Sequence, residues 1–260
     1  MIGNGLPTWP FATAVVLLGG AALACVFPLY SRSERVGAVI VAPQRAFQGV
    51  AAEPDWVGPF FAMLVAGLVL SVGFIGKMLP DIGDDFPGQL RLPMMIGLPV
   101  FIFLFGLVSS VACWAIRAGA IWIIARLAGK HASYRSLFSV VGYAYIPQVL
   151  LAALVMAGAV GFGFVEFSVA DISNAVPPTS LLWLLPEGTV NAPVAKSLTA
   201  QIELFALWSL ALTIIGVQRV YAFDMSKAAA VVLLYWILDI AAAAGFVALM
   251  MGLQQLLVGG

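Results

Sequence analysis

Six stretches of this chain run for about twenty residues or more with at most one interior charge each. That is the helix length needed to cross a hydrocarbon core about 30 Å thick. They are Phe11 to Tyr30, Trp56 to Gly76, the run after Pro93 to Leu127, Leu137 to about Val160, Leu198 to Gln218, and Ala228 to about Leu253. Inside a bilayer only helices and closed barrels satisfy their own backbone. The runs are continuous and lack the apolar–polar alternation of a barrel wall, so helices are expected. Composition agrees. Hydrophobic residues make up 63% of the 260 and charged residues 9%, where a soluble domain carries about 25% charged residues. A water-soluble globule would expose too much apolar surface, and a disordered chain would need far more polar residues. Twelve Lys and Arg balance twelve Asp and Glu. No basic patch remains for nucleic acid. The expected fold class is all-α, a polytopic transmembrane bundle of about six spans.

Orientation follows from Lys and Arg in the connecting segments. Arg32, Arg35, Arg45, Arg126, Lys130, Arg135, Arg219 and Lys227 fall on one side, and Lys77, Arg91 and Lys196 on the other. The richer side is expected to be cytoplasmic, which puts both termini outside the cytoplasm. The third run is longer than a perpendicular helix needs, so it must tilt, kink near Pro99, or begin at the interface. The segment Ser31 to Asp55 holds Val36 to Val41, too short to span, and is expected along the membrane surface. In the outer segment, Thr179 to Leu185 is bounded by prolines and reads as an interfacial piece anchored by Trp183, the alternative being a lid or re-entrant segment over a pathway. Small residues at Gly158, Ala241 and Gly245 are places where helices can approach closely.

Charges inside a membrane point to function or to pairing, because each costs several kcal/mol when alone. Arg117 lies nine residues before Arg126, about 14 Å above the cytoplasmic end of its span. Asp239 lies eleven residues after Ala228, about 17 Å above the same side. The two are expected to face each other across the third and sixth spans. A pair that fixes helix register and a charge relay for ion coupling are both open readings. Glu203, near the start of the fifth run, reads as a boundary polar site. Arg126, Lys130 and Arg135, with His131 among them, read as a stop signal or as contacts to anionic headgroups. Tyr143, Tyr145 and Pro147 form an aromatic patch read as packing, with Pro147 freeing a backbone carbonyl. One His and two Cys, Cys25 and Cys113 inside apolar runs, leave no expected metal or disulfide site. Asp81, Asp84 and Asp85 read as a solvated turn. No nucleophile–base set, phosphate loop or cofactor motif is present, so neither an enzyme nor a cofactor is expected.

Three stretches carry a resemblance. The first is Val41-Ala42-Pro43-Gln44-Arg45-Ala46-Phe47, followed by Glu53-Pro54-Asp55-Trp56-Val57-Gly58-Pro59. The second runs from Ala125-Arg126-Leu127-Ala128-Gly129-Lys130 through Ser133-Tyr134-Arg135 and Phe138-Ser139-Val140 to Tyr143-Ala144-Tyr145-Ile146-Pro147. The third is Glu203-Leu204-Phe205-Ala206-Leu207-Trp208, then Lys227-Ala228 through Val231-Val232 to Tyr235-Trp236. In this order they resemble the Yip family (Ypt-interacting-protein domain) in its bacterial form, over roughly Ala38 to Met250. The resemblance implies a bundle of about five membrane helices. It divides the chain into residues 1–37, an extra leading helix with the start of a linker, and residues 38–260, the Yip-like domain. Eukaryotic relatives associate with Rab-type GTPases in vesicle traffic through a long cytosolic N-terminal segment. An apolar run stands in that place here, so a Rab-type GTPase is not an expected partner. Glu203 stands where the family pattern usually has Asp, and Lys130 replaces a Gly.

The expected role is that of a non-enzymatic scaffold, assembly factor or accessory subunit of the cell inner membrane. Its expected partners are membrane lipids and other integral membrane proteins, or further copies of itself. The alternative is a transporter or lipid-translocating protein using Arg117 and Asp239. Reporter fusions in the segments after Tyr30 and after Leu127 are expected to report the cytoplasm, and fusions at both ends the opposite side. An odd number of crossings would overturn this topology.

Overall fold

The computed structural model describes residues 30–68, 88–162 and 202–258. The leading run before residue 30, residues 69–76 of the second run, the Asp81–Asp85 cluster and the Trp183 segment lie outside them. Among the described residues the fold is all-α, as composition requires. It comprises α1 (Tyr30–Val41), α2 (Pro43–Ala52), α3 (Val57–Leu68), α4 (Gly88–Leu127), α5 (Tyr134–Phe162), α6 (Leu204–Tyr221) and α7 (Met225–Val258). Among the described residues three segments are long and apolar enough to cross a membrane: Val100–Leu127, Leu204–Tyr221 and Met225–Leu253. The chain is therefore a multi-pass membrane protein.

The structure makes several elements more specific than the sequence reading. The third run is one continuous helix of 40 residues. Its length is about 60 Å, twice the hydrocarbon thickness, so helix extends beyond the span. Val36 to Val41 belongs to a helix, and so does the segment after it. Pro43 starts α2 at its first turn, where the missing N–H costs nothing. Val39, Ala46, Phe47 and Val50 are fully or almost fully buried, while Ile40 and Val41 are exposed, so this segment packs one face into the protein. α5 runs unbroken through Pro147, which removes the donor for the Tyr143 carbonyl.

Two compact units divide the chain. One contains α3 and the first part of α4. Met63 and Ala66 of α3 are buried, Gly67 lies in ordinary van der Waals contact with the Phe103 ring, and Phe101 stacks on Phe105.

The other unit contains α2, the end of α4, the first half of α5, α6 and α7. On α4, Trp114, Ala118, Ile121 and Ala125 are buried. Their spacing of four, three and four residues draws one helical stripe. Ile116, Ile123 and Leu127, off that stripe, are apolar and exposed. A helix apolar on both its packed and its open face suits lipid, not water.

The turn between α4 and α5 is specified residue by residue. Gly129 has φ +82°, a left-handed conformation that glycine adopts without strain. Its N–H bonds the Arg126 carbonyl and the Lys130 N–H bonds the Ala125 carbonyl, the paired bonds that close a helix C-terminus. Ser133 then caps α5, its Oγ accepting from the Ser136 N–H at 3.1 Å. At the next turn Ala222 takes φ +49° to end α6, and Asp224 Oδ2 accepts from the Lys227 N–H at 3.3 Å to start α7.

Close helix approach occurs at Gly142 and Gly216. A Cβ at Gly142 would run into the Trp114 indole, and one at Gly216 would meet Val140 and, at 3.2 Å, the Phe47 ring. Gly245, expected in that role, has open space around it, and Ala241 is exposed. Glycine composition does not reveal which glycine faces a neighbour. At Gly142 the indole that fills the space also stacks on Phe138 at 4.0 Å and donates from Nε1 to the Phe138 carbonyl at 2.6 Å. Gly142→Ala must therefore displace a buried ring. It is expected to destabilise the protein by about 1–3 kcal/mol, read as a lowered unfolding midpoint in detergent. Gly245→Ala, made in parallel, is expected to leave that midpoint in place or raise it.

Candidate functional site

The polar side chains of the second unit gather at two levels. The first is the α4–α5 turn. Arg126, Lys130, His131 and Arg135 are all exposed there. The Arg126 guanidinium lies over the Trp122 ring at 4.4 Å. Trp122 Nε1 donates to the Ala132 carbonyl at 3.1 Å, and the Tyr134 hydroxyl to the Ala115 carbonyl at 3.0 Å. Trp122 and Tyr134 meet edge to face, and Tyr134 stacks on Phe138. Burial lifts the Tyr134 phenol above its ordinary value of 10.0, so it is a neutral donor at physiological pH. Basic residues beside amphipathic aromatics are the arrangement of a helix end at a membrane–water interface.

The second level lies within the spans. Arg117 Nη2 stands 3.9 Å from Asp239 Oδ2, which brings α4 and α7 together. The guanidinium also lies 4.8 Å from the centroid of the Tyr145 ring. Both partners of the pair remain partly open, at 32% and 41% exposure. Solvation by the surrounding medium therefore decides how much the pair contributes. In hydrocarbon the charges have no competing water, and loss of one partner strands the other.

Glu203 occupies the N-cap of α6 in extended conformation, with no cap bond from its own side chain. Gln148 of α5 reaches it, Nε2 donating to Oε1 at 3.4 Å. Between these groups is a cavity of about 230 Å³, lined by Arg117, Tyr145, Gln148, Glu203, Ser209, Thr213, Tyr235 and Trp236 among others. Thr213 donates to the Ser209 carbonyl at 2.7 Å, one turn back along α6. Thus Arg117 and Glu203 line one space, with Asp239 against the Arg117 guanidinium, whereas Arg126, Lys130 and Arg135 belong to the turn.

Sequence reading missed part of this. Tyr143 is completely buried, and its hydroxyl donates to Asp55 Oδ2 at 3.0 Å. It is a polar tie as well as a packing residue. Tyr145 and Gln148 stand three residues apart on either side of Pro147, which places them on one helix face. That spacing was the available signal. Among the described residues no cluster of three or more His, Cys, Asp or Glu gathers, and Cys113 is an exposed free thiol.

Long apolar helices around an internal polar cluster define a helical integral membrane protein. The Yip1 domain matches residues 37–247, and the chain belongs to that family. No curated protein and no solved structure matches it. The three stretches that carry the resemblance now have physical roles. Asp55 of the first bonds Tyr143 of the second, Gly129 and Ser133 form the turn, and Glu203 of the third meets Gln148, next to Pro147.

Arg117→Leu and Asp239→Leu are each expected to lower the unfolding midpoint in lipid or detergent. The double replacement is expected to be less damaging than the sum of the two, with a coupling of about 1 kcal/mol. Strict additivity in the double-mutant cycle would show that the pair contributes nothing.

Proposed function

We propose that this protein is a non-enzymatic scaffold, assembly factor or accessory subunit of the cell inner membrane, binding other integral membrane proteins or lipids through its helices. The observation that carries this reading is the apolar surface of its spans. Only 6% of the α4 span and 11% of the α7 span is buried, against 28% of α6. Phe101, Phe105 and Val108 on α4, and Leu234, Ile237, Leu238 and Phe246 on α7, stand exposed. Such faces are covered by lipid or by other helices, and neither requires chemistry.

The remaining features serve this role. The basic turn with Arg126, Lys130 and Arg135 holds anionic headgroups on the cytoplasmic side, while Trp122 and Tyr134 fix its depth. Arg117 and Asp239 lock the register of α4 against α7, and both termini face away from the cytoplasm. A translocation pathway through Arg117 and Asp239 is the competing reading. It is separated by flux through liposomes that depends on Asp239.

Gentle extraction at native expression, followed by mass spectrometry, is expected to recover a stoichiometric membrane-protein partner or a retained lipid class. Replacing exposed Leu234 and Leu238 with bulkier Trp is expected to reduce partner recovery without loss of helicity. Ion or lipid flux abolished by Asp239→Asn, with the fold intact, would favour transport instead.

A further inference from the structure

The cavity between α4, α5, α6 and α7 occupies a definite depth. Along α6 its lining residues are Glu203, Ala206, Ser209, Leu210 and Thr213. They recur at three- and four-residue intervals, so they form one stripe of the helix. Glu203 is the N-cap, immediately before the span that begins at Leu204. Thr213 lies ten residues beyond it, about 15 Å deeper by helix rise. That is half of a hydrocarbon core about 30 Å thick. On α4, Arg117 lines the same space, about 14 Å from the Arg126 end of its helix. The cavity therefore runs from the boundary of the α6 span to the middle of the bundle.

Two hydroxyls on different helices open the question of what fills it. Ser209 of α6 is 7% exposed, and its Oγ is a buried atom with no hydrogen-bond partner among the described residues. The Tyr235 hydroxyl of α7 is buried and unbonded in the same way. Both residues line the cavity. A buried hydroxyl left unbonded bears its full desolvation cost, and hydrocarbon cannot relieve it. The polar contacts around the cavity are also long. Arg117 Nη2 stands 3.9 Å from Asp239 Oδ2, and Gln148 Nε2 3.4 Å from Glu203 Oε1, where direct charge-assisted bonds close to about 2.7–2.9 Å. Tyr235 stands one turn before Asp239 and feels its carboxylate without reaching hydrogen-bond geometry. Spacings of this kind suit contacts completed by water. Apolar cavities stay dry, whereas a polar one holds water when each molecule finds two to four partners. A volume of about 230 Å³ far exceeds the roughly 10–15 Å³ that one water requires. In a cluster the waters bond one another as well as the walls, so the lining groups need not aim at a single point.

We propose that this cavity is an aqueous vestibule, entered beside Glu203 and Gln148 and ending at Arg117, whose water bonds Ser209 and Tyr235 at mid-membrane depth. Its ligand is a water cluster, and small hydrophilic reagents share the same access. The vestibule supplies the solvation on which the strength of the Arg117–Asp239 pair depends. The scaffold reading requires no water here, and a vestibule that ends at Arg117 carries no flux, so each proposal can fail while the other stands.

The test uses the full chain in lipid nanodiscs, with Cys25 and Cys113 replaced by Ser. Single thiols introduced by Ser209→Cys and Thr213→Cys, inside the vestibule, are compared with Leu238→Cys on the exposed apolar face of α7. The probe is aminoethyl methanethiosulfonate. It reacts with the thiolate, which forms only where water reaches the sulfur, so the two vestibule thiols are expected to react at least about ten-fold faster than the lipid-facing one. Adding Ala206→Trp, which fills the space one turn from Ser209, is expected to slow Thr213→Cys to the Leu238→Cys rate with helicity retained. Ser209→Ala decides the matter without a probe. Removing a hydroxyl that bonds water leaves the unfolding midpoint in place or lowers it, whereas removing an unbonded one from a dry site raises it. The shift is read against Ser110→Ala, which carries the same gain in helix propensity. If neither cysteine variant folds, this midpoint decides alone. Vestibule thiols no more reactive than Leu238→Cys, or a midpoint raised by Ser209→Ala beyond that control, would overturn the proposal.

Discussion

Hydrocarbon offers no hydrogen bond, so each polar atom carried into it must find its partner on the chain or bear the full cost of desolvation. That constraint explains where the polar residues of this protein lie. Tyr143 meets Asp55, Gln148 meets Glu203, Arg117 meets Asp239 and the Tyr145 ring, and Thr213 folds back onto its own helix. Each side chain-to-side chain contact joins two separate segments. The polar groups that would oppose membrane insertion are thereby used to fix which helices adjoin.

Packing supplies the second half of the specificity. Between apolar helices in lipid there is little hydrophobic gain from association, so shape decides. The absence of a side chain at Gly142 admits the Trp114 indole, and the absence at Gly216 admits Phe47 and Val140. The indole then makes a stack and a hydrogen bond at once. Phe47 belongs to α2, a helix of 10 residues and so too short to span a membrane. The linker is thus part of the core of its unit, anchored by Val39, Phe47 and Val50.

The candidate site was partly legible. Arg117, Asp239 and Glu203 stand out because a charge within an apolar run is conspicuous in any composition count. Tyr143 and Ser209 do not stand out, because a hydroxyl in a membrane helix is common and its role depends on what lies opposite. The pairing of Asp55 with Tyr143 spans 88 residues, and no local pattern encodes a partner at that distance. The glycines show the same limit: Gly245 and Gly142 look alike in the chain, yet only Gly142 has a ring against it.

The amino-acid order by itself determined that the chain is helical and lives in a membrane, because uncharged runs of such length have no other stable solvent or backbone arrangement. It also determined the turns, since Gly129, Ser133 and Asp224 act through bonds to residues three to five places away. Only the tertiary structure decided which hydroxyl is tied and which is left open, which glycine is a contact, and that Glu203 shares a cavity with Arg117. Those outcomes depend on the relative rotation of whole helices, and a rotation is fixed by the sum of many weak contacts rather than by any one stretch of residues.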